Sequence, residues 1–168
     1  MATTRNRVVA VAGAGVLALA STLLPSLRGT EIIKEHEGLR TSAYYDSVRV
    51  QTICYGSTRG VRIGDTATKA ECDARLLRDL GEASAGVSRS VQRRITQGQY
   101  DALVSLTFNI GTTALAKSTL VRKLNAGDCL GAAREFDRWV YAKGKRLNGL
   151  VSRRAAERGL FEQGCSAW

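Results

Sequence analysis

Between Arg7 and Arg28 the chain runs for twenty residues without a charge. Wound as an α-helix, such a run is roughly 30 Å long, the thickness of a bilayer core. Arg5 and Arg7 lie just before it. Positive charge beside an apolar segment favours the cytoplasmic side, so the rest of the chain is expected to be delivered across the membrane. That remainder is about 140 residues, enough for one core and one compact domain. The expected division is 1–28 as an export and membrane segment and 29–168 as a single folded domain, with Pro25, Ser26, Gly29 and Thr30 as the junction.

The segment is weakly apolar. Five of its residues are Ala, and Gly13, Gly15, Ser21, Thr22, Pro25 and Ser26 dilute it further. Small and polar side chains gain little from lipid, so residence of residues 8–27 in the membrane is marginal. Three fates fit this pattern: a permanent anchor, a signal peptide cleaved after Ala18-Leu19-Ala20, and an anchor that later leaves the membrane intact. The Ala/Gly-rich composition favours the third. A buried helix of a soluble core explains the arginine-flanked position poorly.

Export also bears on the cysteines. Cys54, Cys72, Cys129 and Cys165 form an even set, which in an oxidising compartment reads as two disulfides rather than four buried thiols. Three pairings are open. No C-x-x-C occurs and His36 is the only histidine, so neither a metal nor a cofactor is expected. The net charge is +10, of which the 22 basic and 15 acidic residues after Arg28 contribute +7. Such a surface attracts polyanions, with Arg93, Arg94, Lys143, Lys145, Arg146, Arg153 and Arg154 as candidate contacts, although Arg153 and Arg154 could instead brace the helical part of the fold. Charge alone would also suit a nucleic-acid binder, but no nucleic-acid-binding motif accompanies it.

The remainder reads as mostly helical. Ile32 and Ile33 among Glu and Lys predict a short helix from Glu31 to Glu37, closed by Gly38. Val48, Val50, Thr52 and Cys54 alternate as one face of a strand. Thr68 with Glu71 forms a capping box ahead of Leu76, Leu77 and Leu80, and Thr96 with Gln99 caps a helix running through Phe108. Ser118 and Asp128 are further N-caps, and a last helix starts between Leu147 and Ser152. Phe108 and Trp139 are expected in the core, or else at its border with a cleft.

Within this frame Glu37, Asp46 and Thr52 stand out. Eight residues separate the first pair and five the second, in the run EHEGLRTSAYYDSVRVQTICYGS. Glu37 closes the predicted helix, where the negative end of the helix dipole disfavours an ionised carboxylate, as a proton donor requires. Asp46 lies in or beside a hairpin, and the Thr52 hydroxyl can position a water. Cleaving a glycosidic bond needs one protonated carboxyl and a second carboxylate on the other face of the sugar. Glu31 and Glu35 are the competing acids, expected to pair with Lys34 or with solvent.

This segment resembles the catalytic region of the phage-type lysozymes, the endolysin muramidases of bacteriophages. The resemblance continues through TATKAECDARLLRDL (Thr66 to Leu80), QYDALVSLTFNIG with Phe108, Asn109 and Gly111, STLVRKLNAGD (Ser118 to Asp128), Arg138-Trp139, and GLVSRRAAERGLF (Gly149 to Phe161). It is similar in particular to members with an N-terminal signal-anchor. One departure is Ser57, where T-even-type members carry His.

The family implies an α+β, mostly helical lysozyme-like fold: a small β-hairpin-containing lobe and a larger helical lobe with a cleft between them. It implies hydrolysis of the β-1,4 bond between N-acetylmuramic acid and N-acetylglucosamine in peptidoglycan. Glu37 would be the general acid, with Asp46 and Thr52 holding water for inversion. Tyr45, Phe108, Asn109 and Ser118 are candidate substrate contacts. The resemblance supports a Cys54–Cys72 pairing, tying hairpin to following helix, more than it supports the remaining Cys129–Cys165. A monomer is expected, held in the host inner membrane through residues 8–27 with its N-terminus cytoplasmic, then released to the periplasm to act. No thiol lies in the first thirty residues, so control is expected from release and refolding rather than from a blocking cysteine. The alternative is a catalytically inactive, envelope-anchored wall binder.

Overall fold

The structure is a computed structural model that describes residues 24–46 and 49–167. The expected membrane segment falls largely outside the described residues. Of its last four positions, Leu24, Pro25 and Ser26 precede the first helix and Leu27 is helical. No helix among the described residues is long and apolar enough to cross a membrane.

Helix α1 spans Leu27–Glu37, starting four residues earlier than its apolar pattern indicates. Ser26 is the cap, its hydroxyl accepting from the Gly29 amide at 3.2 Å. The cause of the early start is tertiary. Ser26 donates its amide to Asp101 Oδ1 at 2.9 Å and its hydroxyl to Oδ2 at 2.5 Å, and Asp101 is buried. Gly29, expected in the junction, lies in the first turn so close to this carboxylate that a Cβ there would sit 2.7 Å from Asp101 Cγ. At the other end Gly38 takes φ 70° and donates to the Lys34 carbonyl at 3.1 Å, closing the helix as its position predicts.

Strands β1 (Arg40–Tyr45) and β2 (Gln51–Cys54) then form an antiparallel hairpin, with Tyr44 opposite Thr52 and Tyr45 opposite Gln51. The alternation expected from Val48 to Cys54 does not survive. Val48 lies outside the described residues, Val50 is exposed and precedes the strand, and Thr52, Ile53 and Cys54 are all buried. Cys54 adopts φ 62°, and the chain folds back so that Ile53 bridges Ser57. Both faces at the end of β2 are thereby covered.

Helix α2 (Lys69–Ser90) and helix α3 (Gln97–Ile110) each begin with the anticipated capping box. Helix α3 is the centre of the molecule, buried from Gln99 through Thr107, and α1, α2 and α7 pack on it. The short helices α4 (Thr112–Ala116), α5 (Thr119–Asn125) and α6 (Cys129–Arg134) come next, the last two capped by Ser118 and Asp128. A small exposed hairpin of β3 (Tyr141–Ala142) and β4 (Lys145–Arg146) leads into α7 (Asn148–Glu162). Leu76, Leu80, Leu103, Leu106, Leu120, Leu124, Phe136 and Phe161 fill the core. Trp139 and Phe108 are half-buried against it. The architecture is α+β and mostly helical, a small hairpin region beside a larger helical body.

Two disulfides, Cys54–Cys72 and Cys129–Cys165, join the hairpin to α2 and the C-terminal turn to α6. A polar clamp reinforces the first. Asp73 on α2 accepts from Lys34 at 2.7 Å, from Lys69 at 2.8 Å and from the Tyr55 hydroxyl at 3.3 Å. Lys34 therefore serves Asp73, and Glu31 and Glu35 lie exposed.

The hydrogen bonds from Lys34 and then Lys69 lower the Asp73 carboxyl to about 2, below the value of about 3.9 expected in the unfolded chain. A depressed folded-state value stabilises above the unfolded value and ceases to do so as pH falls through the folded one. The melting temperature of wild type should thus exceed that of Asp73→Asn above pH ~4, and the gap should close as pH approaches about 2. A gap unchanged over that interval would remove Asp73 as its source.

Candidate active site

Glu37 is the last residue of α1, so its side chain leaves the helix where the chain turns toward the hairpin. Its side chain is 20% exposed. Oε1 accepts from Arg153 Nη1 at 2.6 Å. Oε2 faces the backbone beyond β2, where a Cβ on Gly56 would sit 3.6 Å away. Gly56 has φ 94°, a conformation that suits glycine. The helix end places a partial negative charge beside Glu37 and Arg153 a full positive one, so the expectation built on the dipole alone was incomplete.

Arg153 is itself held on all sides. Its Nε donates to Glu157 Oε1 at 3.1 Å and its Nη2 to the Ser105 carbonyl at 3.1 Å. Ser105 donates its hydroxyl to the same Glu157 oxygen at 2.6 Å. Arg154 pairs with Glu157 from the other side and reaches Asn109 Oδ1 at 3.2 Å. Arg153, Arg154 and Glu157 are all buried. The two arginines are therefore braces of the helical body rather than contacts for a polyanion, because a side chain without solvent access meets none. Arg93, Arg94, Lys143, Lys145 and Arg146 are exposed. Burial, ahead of the repulsion of Arg153 and Arg154, lowers neighbouring His36 from its ordinary value.

Asp46 and Thr52 come together through one residue. The Val50 carbonyl accepts both the Asp46 amide and the Thr52 hydroxyl at 3.0 Å, and the Val50 amide donates to Asp46 Oδ1 at 2.8 Å. A carbonyl only accepts, so the Thr52 proton is committed to it and the Thr52 oxygen remains an acceptor. The short Gly38-Leu39 link joins Glu37 to β1, and Gly56, beside Glu37, lies just past β2.

The other candidates divide. Phe108 lines a cleft of about 410 Å³ with Gly56, Ser57, Asp79 and Thr112. Asn109 is tied to Arg154 at the edge of the buried network. Tyr45 is exposed at the end of β1. Ser118 caps α5 and lines a neighbouring groove of about 840 Å³ with Arg89, Lys117 and Arg122, which shares Thr112 and Thr113 with the Phe108 cleft. Ser57 donates to Asp79 at 2.5 Å, joining the end of the hairpin to α2. Among the described residues no group of three or more His, Cys, Asp or Glu is placed to hold a metal.

Ser105 and Glu157 were not singled out from sequence. The spacing of Arg153 and Arg154 to Glu157, four and three residues, is a signal for same-face helical pairing. No local pattern links that trio to Glu37.

The phage lysozyme family pattern matches residues 34–157. An endolysin from Acyrthosiphon pisum secondary endosymbiont phage 1 is 45% identical over 141 residues, covering 82% of this chain and 97% of that one. A SAR-endolysin from Enterobacteria phage P21 is 39% identical over 157 residues, 93% of each chain. Among solved structures, the muramidase domain of SpmX from Asticaccaulis excentricus aligns with TM-score 0.76 at 38% identity, covering 81% of this chain and 95% of that one. The active form of P1 phage endolysin Lyz has the same fold, with TM-score 0.77 at 22% identity over 88% of this chain and 94% of that one.

Removing the guanidinium leaves Glu157 a buried carboxylate with one cation fewer. Arg153→Met is expected to lower unfolding free energy by about 3–5 kcal/mol, the cost of breaking a buried pair from one side. Urea unfolding at neutral pH measures it, and a loss below about 1 kcal/mol would place the pair among weak surface bridges.

Proposed function

This chain belongs to the phage lysozyme family, a glycoside hydrolase acting on peptidoglycan, and from that premise we propose that it is an endolysin in which Glu37 is the general acid. The observation that carries this is the Glu37 geometry. Arg153 occupies Oε1, which leaves Oε2, beside the small Gly56, to carry the proton to the leaving glycosidic oxygen. The bond cleaved is the β-1,4 link from N-acetylmuramic acid to N-acetylglucosamine.

Asp46 and Thr52 hold the attacking water. With its own proton on Val50, Thr52 can only accept from that water, and the Asp46 carboxylate accepts the other hydrogen. The oxygen lone pair is thereby directed at the anomeric carbon, and attack opposite the leaving group gives inversion. Tyr45, Phe108 and Asn109 border the glycan's path, and Ser118 contacts it further out. No cofactor enters.

Residues 1–28 act as signal-anchor and 29–168 as catalytic domain. The protein sits in the host inner membrane through residues 8–27 with its N-terminus cytoplasmic, and is released to the periplasm as an active monomer. The similarity to the SAR-endolysin of phage P21 supports this order of events. Nucleic acid is not a partner.

Reducing-end release from purified peptidoglycan tests the reading. A chain beginning at Leu24, which retains the Ser26 cap, should release sugar ends, and Glu37→Gln should lose at least about a hundredfold. Full activity in Glu37→Gln would transfer the role to Glu35. Binding to walls without any release would make the protein an envelope-anchored binder. Protein retained in inner-membrane vesicles should be inactive, and equal activity of tethered and released forms would reject control by release.

A further inference from the structure

Glu157 has no part in the reaction as proposed, yet it is completely buried. Three groups donate to its Oε1, and Oε2 meets Arg154 as an ion-pair contact without a hydrogen bond. Ser105 Oγ, Arg154 Nη2 and Arg153 Nε lie 2.6, 3.0 and 3.1 Å from Oε1, and Arg154 Nε lies 2.8 Å from Oε2. Burial pushes the Glu157 carboxyl up, and Arg154 and Arg153 pull against it. A proton on Glu157 would point at guanidinium donors, with only the Ser105 oxygen able to turn and receive it. The pocket therefore fits the carboxylate.

Arg153 thus lies between two carboxylates, buried Glu157 at its Nε edge and Glu37 at Nη1. Its third nitrogen is fixed on the Ser105 carbonyl, so the guanidinium plane cannot rotate without breaking a bond on each side. The surroundings of Glu37 are otherwise modest in charge. Helix α1 contributes His36 and Glu35, α7 contributes Arg154 beside Arg153, and the chain past β2 contributes the Gly56 backbone.

We propose that Glu157 is a positioning residue for the muramidase reaction: it holds Arg153 against Glu37 while taking up part of the guanidinium's charge. This rests on the assignment of Glu37 as the acid. Without Glu157 the full positive charge of Arg153 bears on Glu37, and the carboxylate form, which cannot protonate a leaving group, is favoured. Glu157 touches no substrate and acts only through Arg153.

The test is the pH dependence of kcat/KM for reducing-end release from purified peptidoglycan. Glu157→Gln keeps the shape of the side chain and removes its charge. The basic limb should move to lower pH by on the order of one unit. Activity above the limb should fall about tenfold, and the two profiles should converge on the acid side. Glu157→Asp, which keeps the charge but draws it back from Arg153, should move the limb the same way by less, and it decides the matter if Glu157→Gln does not fold. A folded variant whose profile drops at every pH with the limb in place would reduce Glu157 to a structural brace and overturn the proposal. Glu37→Gln in the same assay separates the two ideas: activity surviving there removes the acid assignment itself, whatever the limb does.

Discussion

A guanidinium taken out of water must have its donors met and its charge balanced, or the fold loses more than it gains. Arg153 meets that demand with groups from three helices: Glu157 on its own α7, the Ser105 carbonyl on α3, and Glu37 at the end of α1. The first two fix the side chain inside the helical body. The third reaches the border with the hairpin region. The same residue that makes α7 and α3 pack thus determines where the end of α1 can lie. Arg154 closes the network on the far side of Glu157 and connects it to Asn109.

The hairpin side is held by a different set of forces. The Cys54–Cys72 bond and the Asp73 clamp fasten β2, Tyr55 and α1 to the first turns of α2. Ser57 makes a second attachment farther along α2 through Asp79. Inside the hairpin, Val50 satisfies Asp46 and Thr52 at once, so the positions of the two residues proposed to hold water are coupled by a single peptide. Rigid support on the α2 side and a short Gly38-Leu39 link on the α1 side leave the hairpin little freedom relative to Glu37.

Features governed by neighbours in the chain were legible in the sequence. The capping boxes at Thr68 and Thr96, the caps at Ser118 and Asp128 and the glycine stop at Gly38 each involve groups within four residues, and the structure has all of them. What was not legible depends on distant partners. The start of α1 was misplaced because Asp101, 75 residues away, supplies the bonds that extend the helix back to Leu27. The strand alternation failed because Cys54 turns left-handed and the chain doubles back on Ile53. Whether Arg153 and Arg154 brace the body or meet polyanions was open in the sequence, because nothing local reveals that Glu157 is buried with them, or that Glu37 lies opposite across 116 residues of sequence. In the candidate site, Glu37, Asp46 and Thr52 were singled out from their spacing, whereas the groups that bond Glu37 came to light only in three dimensions.

The Ser26–Asp101 bonds make α1 a rod gripped near both ends. Its first turn is fastened to the central helix and its last residue to Arg153, and a helix of 11 residues is roughly 16 Å long. Hydrogen-bonded rods of that length transmit displacement with little bending. A tug on the chain just ahead of Leu24 is therefore a load on the seat of Glu37, and the two ends of α1 cannot be moved independently.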